Sequence, residues 1–285
     1  AAEGPLVELH DTGLSPIVAS LFLLFSITWN RIRPSFSVVF SARIMTPRNR
    51  PPRGLFITLE GTEGCGKSTQ AKLLGEHLRK QGYDTVETRE PGGTPLAEKI
   101  RAVLLDRADE PIAPETEAFL VLAARRQHVA QVIAPALARG SLVLCDRFTD
   151  STLAYQGYAR GLDIATLERL NRLATQSLTP DLTLVFDLPV STGLARRRSA
   201  AEVNRLDRES LRFHQKVRAG FLDLAKRHPT RIKVVPARAS KETVARAVAR
   251  AITPMLDKIR RSAARNRPAT GRPSPQTSQA RHAIR

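Results

Sequence analysis

The chain has only two cysteines in 285 residues, which rules out a disulfide framework and points to a reducing, cytoplasmic setting. Its six histidines show no paired spacing, so they suggest no metal site. Aromatic residues make up 5 %, few for a platform that stacks single-stranded nucleic acid. No long apolar run is present. Residues 17–29 are apolar apart from Ser20, Ser26 and Thr28, but a membrane helix needs about 20 such residues. The acids Glu3, Glu8 and Asp11 stand where a signal peptide would carry basic residues. No internal repeat is visible. An initial Met is missing too. Met45 precedes the first periodic segment, so residues 1–44 are expected to be an extension ahead of the natural start.

Acid is also scarce at the ends. The net charge is +18; residues 1–53 hold six Arg against three acids, and the last 27 residues hold seven Arg and no acid. Composition thus divides the chain into an N-terminal extension (1–53), a central domain (54–258) and a basic tail (259–285), with 260–285 expected to be disordered. A basic tail can bind nucleic acid, but a solvated tail is the plainer expectation, and no nucleic-acid partner is assigned.

What is present begins with Gly61-Thr62-Glu63-Gly64-Cys65-Gly66-Lys67-Ser68, which fits the phosphate-loop pattern G-x-x-x-x-G-K-[ST]. The bland alternative is a Gly-rich turn. Context favours the loop: residues 55–59 read as a buried strand, and residues 68–81 as a helix with Leu73, Leu74 and Leu78 on one face. Backbone N–H groups in such a loop form a concave nest, and the helix N-terminus adds positive charge. Residues 61–69 are therefore candidates to bind a nucleotide's phosphates, with Lys67 at the β/γ-phosphates and Ser68 on Mg²⁺.

Strands and helices alternate through the middle. Strands are expected at 55–59, 84–89, 142–145, 182–186 and 232–235. Helices are expected at 68–81, 95–105, 115–137, 163–178, 190–198, 209–227 and 241–259. Five strands with intervening helices predict an α/β fold: three layers, a five-stranded parallel sheet with helices on both faces. Ligands then belong at the carboxyl ends of the strands.

Asp146-Arg147-Phe148 ends one of these strands. An acid there can hold Mg²⁺ beside the loop Ser, and Arg147 can fork two phosphates; the alternative is a surface ion pair. Between 196 and 208 lie five arginines: Arg196, Arg197, Arg198, Arg205 and Arg208. They suggest an Arg-rich lid, because phosphoryl transfer relies on positioned cations; the alternative is a solvated helix face. No His or carboxylate triad stands out. An acceptor that is already a phosphate needs no general base, so the composition leans toward one.

With these residues in place the chain resembles the bacterial thymidylate kinases, of the P-loop NTPase fold. The similarity runs through residues 60–69, Thr88-Arg89-Glu90-Pro91-Gly92-Gly93-Thr94, Ala123-Ala124-Arg125-Arg126-Gln127-His128, Asp146-Arg147-Phe148, Ser151-Thr152-Leu153-Ala154-Tyr155-Gln156-Gly157 and Pro180-Asp181-Leu182. It implies transfer from ATP to dTMP with Mg²⁺, giving dTDP on the route to dTTP, in a cytoplasmic homodimer. It further implies Glu63 at the sugar 3′-hydroxyl, Arg125 at the thymine end, Arg147 on the acceptor phosphate, and Ser68 and Asp146 at the metal. Arg89, Pro91, Ser151, Thr152, Tyr155 and Gln156 would line the acceptor site. Arg196, Arg198 and Arg205 would reach the ATP phosphates from the lid, since the loop has no Arg of its own. Where the family stacks a Phe on thymine this chain has Val121, with Phe119 two residues earlier. Two readings compete: a kinase for another deoxynucleotide or deoxynucleoside, and a non-catalytic nucleotide binder acting through its tails.

Overall fold

The computed structural model describes residues 54–106, 110–198 and 204–265; the side chains of 198 and 262–265 lie outside the description. Residues 1–53 lie outside the description, so the expectation about Met45 falls beyond the described residues. In chain order the elements are β1 (Phe56–Glu60), α1 (Lys67–Lys80), β2 (Thr85–Arg89), α2 (Pro95–Leu105) and α3 (Pro114–His128). A π-helical segment (Val129–Ile133) and α4 (Ala134–Ala138) continue α3, followed by β3 (Leu142–Asp146) and α5 (Thr149–Thr152). A second π-helical segment (Leu153–Ala159) leads to α6 (Ile164–Thr175), β4 (Leu182–Asp187) and α7 (Val190–Arg198). A short 3₁₀ turn (Leu206–Arg208), α8 (Leu211–Arg227), β5 (Ile232–Pro236) and α9 (Lys241–Arg265) complete the described chain.

The five strands form one parallel sheet in the order β2-β3-β1-β4-β5. Alternation along β1 explains the layers. Ile57 and Leu59 face α1 and α9, packing on Leu74, Leu78, Val248 and Ile252. Phe56 faces the other side, with Ile133, Leu137 and Val143. Beside it on that side, Val185 and Ile232 pack on Phe213, Val217 and Phe221 of α8. The expected three-layer architecture is present. Among the described residues no helix is long and apolar enough to cross a membrane.

Three expectations about elements need correction. The helix expected over 115–137 is interrupted by the π-helical segment just before Pro135. Proline has no N–H and its ring crowds the carbonyl one turn back, and the wider turn relieves both. The helix expected over 163–178 stops at Thr175, where Gln176 and Ser177 turn left-handed. The final helix does not end at 259 but runs to Arg265, so 260–265 is not a disordered tail. Its extension is anchored: Arg260 donates to Tyr83 Oη at 2.8 Å and to Gln81 Oε1 at 3.0 Å.

Candidate active site

The loop between β1 and α1 lies at the carboxyl edge of the sheet, next to the ends of β3 and β4. Gly66 has φ 93° immediately before Lys67, a left-handed turn that opens the loop into the helix. Gly64 (φ 68°) is needed for packing as well: a Cβ there would stand 2.0 Å from the Gly193 carbonyl oxygen of α7. The first helix of the lid region thus docks backbone to backbone on the phosphate loop. Lys67 Nζ donates to the carbonyls of Gly61 (3.0 Å) and Thr62 (2.9 Å) and lies 3.5 Å from Cys65 Sγ. Gly61, Thr62 and Cys65 therefore hold the lysine, while Glu63, Gly64 and residues 66–69 line the cleft itself.

That cleft has a volume of about 620 Å³, within the usual size range for a small-molecule site. On its floor Ser68 Oγ donates to Asp146 Oδ2 at 2.7 Å, while Asp146 Oδ1 is buried without a hydrogen-bond partner. Arg147 follows. Its guanidinium donates to the Gly61 carbonyl (3.1 Å), Ser151 Oγ (3.2 Å) and Glu63 Oε1 (3.0 Å), and lies over the Tyr155 ring. Burial pulls its pKa down, but Tyr155, Glu63, Asp146 and Glu60 outweigh that and raise it. Arg147 is a fixed cation at any working pH.

Arg147 is also one of three described non-glycine residues with positive φ, at 72°. Its backbone is held on every side. Its N–H donates to Leu59 O at 3.0 Å, and its carbonyl accepts from Cys145 Sγ at 3.1 Å. The next N–H, that of Phe148, donates to Glu60 Oε1 at 2.7 Å. Glu60 also accepts from Ser151 Oγ at 2.6 Å. Glu60 is fully buried; burial and the nearby Asp150 push its pKa up to about 8 against these hydrogen bonds.

Glu63 completes the cluster. Tyr155 Oη donates to its Oε1, and His214 Nδ1 of α8 lies 3.0 Å from Oε2, out of hydrogen-bonding alignment. Burial works to raise its pKa, but His214, Arg147, Lys67 and Tyr155 together hold it down at about 2. It is a carboxylate under all ordinary conditions.

The structure brings Pro91, Val121, Arg125, Ser151, Thr152, Tyr155, Gln156 and Arg196 to the same cleft. Val121 faces it, whereas Phe119 is 60 % exposed elsewhere on α3, as the helical rotation between them requires. Arg125 is 1 % exposed, and four of its donors are engaged, by Glu90, Thr152, Asn171 and the Phe148 carbonyl. It braces the wall more than it offers hydrogen bonds to a ligand.

Two expected site residues stand outside the cleft wall. Arg89 forks onto both oxygens of Glu98 instead. Arg205 does not face the phosphate loop: its Nε donates to Leu104 O at 3.0 Å and its Nη2 to Glu117 Oε2 at 2.6 Å. These contacts pin the lid turn to α2 and α3. The side chain of Arg198 lies outside the described residues. In their stead Arg101 and Arg197 line the cleft; Arg101 donates to the Pro91 carbonyl at 2.8 Å, and Arg197 pairs with Asp207. Arg101 sits in no motif, so no sequence signal singled it out. Glu60, Glu117 and His214 were missed for a different reason: each acts on residues distant in sequence.

Comparison with known proteins follows the same lines. The family model described as Thymidylate kinase matches residues 59–248. The thymidylate kinase of Geobacter sulfurreducens is 53 % identical over 204 residues, covering 69 % of this chain and 95 % of that protein. That of Thermomicrobium roseum is 55 % identical over 208 residues, covering 73 % and 98 %. The crystal structure of thymidylate kinase from Ehrlichia chaffeensis superposes with a TM-score of 0.58 at 35 % identity, over 70 % of this chain and 99 % of the other.

Proposed function

This chain belongs to the thymidylate kinase family, which transfers a phosphoryl group from ATP to dTMP to give dTDP, and we propose how its cleft performs the transfer. The ATP phosphates lie in the loop 61–69, with Lys67 leaving its loop carbonyls to meet them. The dTMP phosphate lies on Arg147. An oxygen of that phosphate attacks the terminal phosphorus of ATP, and the bond from that phosphorus to the ADP oxygen breaks. The acceptor oxygen is already anionic, so no side chain needs to remove a proton. The remaining demand is to spread and neutralise negative charge, which positioned cations meet. Lys67, Arg147 and Arg196 fit that task, with Arg101 and Arg197 at the same cleft.

The observation that carries the assignment is Arg147. It is a half-buried, permanently charged fork held beside the phosphate loop by a strained backbone, with Glu63 fixing its angle. Strain of this kind persists where surrounding structure over-determines it. Glu63, ionised and set by Tyr155 and Arg147, suits a sugar hydroxyl as donor to its carboxylate. Tyr155, Ser151, Thr152, Gln156 and Val121 would enclose the sugar and base.

Ser68 and Asp146 fit a Mg²⁺ ion: both offer oxygen, and Asp146 Oδ1 is buried without a partner. One carboxylate with a hydroxyl is the sparse protein share expected when phosphates supply other ligands. Bound there, the ion would neutralise phosphate charge. Two free cysteines support a cytoplasmic setting. Exposed Val103 on α2, Phe119 on α3 and Leu173 on α6 support a homodimer through that group of packed helices. Arg147→Ala tests the site: kcat/KM for dTMP should fall about a hundredfold or more.

A further inference from the structure

Glu117 of α3 lies behind the cleft wall, 1 % exposed, and every described partner of its side chain is a donor. Gln156 Nε2 donates to its Oε1 at 2.7 Å. Arg160 reaches Oε1 from Nε at 3.4 Å and Oε2 from Nη2 at 3.1 Å, and Arg205 Nη2 donates to Oε2 at 2.6 Å. Burial works to raise its pKa, but the bonds from Arg205, Gln156 and Arg160 hold it below the ordinary carboxylate range. Glu117 is therefore ionised and can only accept.

An acceptor-only partner settles which way a glutamine amide points. The nitrogen of Gln156 must face Glu117, and the oxygen is the end left over. Gln156 is part of the cleft wall, together with Val121, Thr152 and Tyr155. We propose that Glu117 is a specificity-determining positioning residue: by holding the Gln156 nitrogen it gives the acceptor-base wall a hydrogen-bond acceptor, which admits pyrimidines with an N3–H and opposes those whose N3 is an acceptor. Thymine and uracil belong to the first class and cytosine to the second. The inference rests on the assignment of this wall to the acceptor nucleotide. Its physical basis is that two facing acceptors leave both groups unpaired in a desolvated site, which is costly.

Glu117→Gln keeps the shape and reverses the logic. Two guanidinium groups face Oε2, so the new amide oxygen belongs there and its nitrogen faces Gln156. Gln156 then turns, and its own nitrogen faces the base. The experiment measures kcat/KM of the full chain and the variant with dTMP, dUMP and dCMP. The dTMP:dCMP ratio should drop about tenfold or more, while the dTMP:dUMP ratio stays within about twofold because both bases carry N3–H. A purely structural role would lower all three alike and leave both ratios unchanged, and that result overturns the proposal. If the variant unfolds, Gln156→Leu serves instead: it removes the amide, and a dTMP:dCMP ratio equal to that of the unmodified chain is again contrary. Absence of dTMP turnover in the unmodified chain would count against the acceptor site itself, a separate failure.

Discussion

Arg147 occupies a left-handed conformation that costs a non-glycine residue roughly 1–3 kcal/mol, and Glu60 explains much of how it is held. The Phe148 N–H that follows the strained residue donates to Glu60, and so does Ser151, a partner of the Arg147 guanidinium. Glu60 stands in the quoted loop stretch, yet its job was illegible, because its partners lie about 90 residues away. Arg147, Ser68 and Asp146 stand out as candidates because their motifs carry chemistry at fixed spacing, and Glu63 because the family resemblance points to it. The raised pKa of Glu60 makes a testable statement about stability. The folded chain holds that proton while the unfolded chain loses it near pH 4.5. Glu60 therefore contributes stability that is full below pH 4.5 and is lost as pH rises through about 8. Denaturant titrations should show a decline of up to about 1.4 kcal/mol per pH unit across that window. Glu60→Gln cannot ionise and should remove this component; a variant with the same slope as the unmodified chain would refute it. Val121 makes a second residue-scale prediction. A ring there would face the cleft where the base is proposed to lie, and stacking is worth about 1–3 kcal/mol. Val121→Phe should lower KM for dTMP roughly tenfold, measured by steady-state ADP release; an unchanged or higher KM would contradict the placement of the base.

At the scale of elements, the alternation of strands and helices was readable because burial on both faces gives apolar strands, and amphipathic helices repeat at their own period. The boundaries that differ have one local and one tertiary cause. Pro135 widens its helix into a π turn, and Arg260 extends α9 by holding the turn after α1. In the sequence the lid is a run of cations expected at the ATP phosphates. The fold uses them separately: Arg196 and Arg197 at the cleft, Arg205 as a tether to Glu117. Composition cannot distinguish those uses, since all are arginines. The contact of α7 with the phosphate loop was also invisible, being made by two glycines in different motifs. A Cβ on Gly193 would stand 2.3 Å from the Glu63 carbonyl oxygen. Gly193→Ala should push α7 off the loop, destabilising the chain by about 1–3 kcal/mol and lowering kcat/KM. Chemical unfolding and kinetics check this together, and a variant as stable and active as the unmodified chain would show that the approach is dispensable.

Across the whole molecule, the phosphate loop is distant in sequence from the Asp146–Arg147 turn and the π-helical wall that follows it, and they meet at the carboxyl edge of one sheet. The parallel order places β1 between β3 and β4, so the phosphate loop and Arg147 become neighbours. The strong net charge of +18 owes much to the two ends of the chain, whereas the cleft balances its cations with the ionised carboxylates of Glu63 and Glu117. The central claim is that Arg147 holds the acceptor phosphate for transfer. Its most direct test is kcat/KM for dTMP at saturating ATP, measured on the full chain and on Arg147→Ala with matched folding by circular dichroism. The expected result is a fall of about a hundredfold or more with ATP binding retained. A variant that phosphorylates dTMP at near the unmodified kcat/KM would contradict the account.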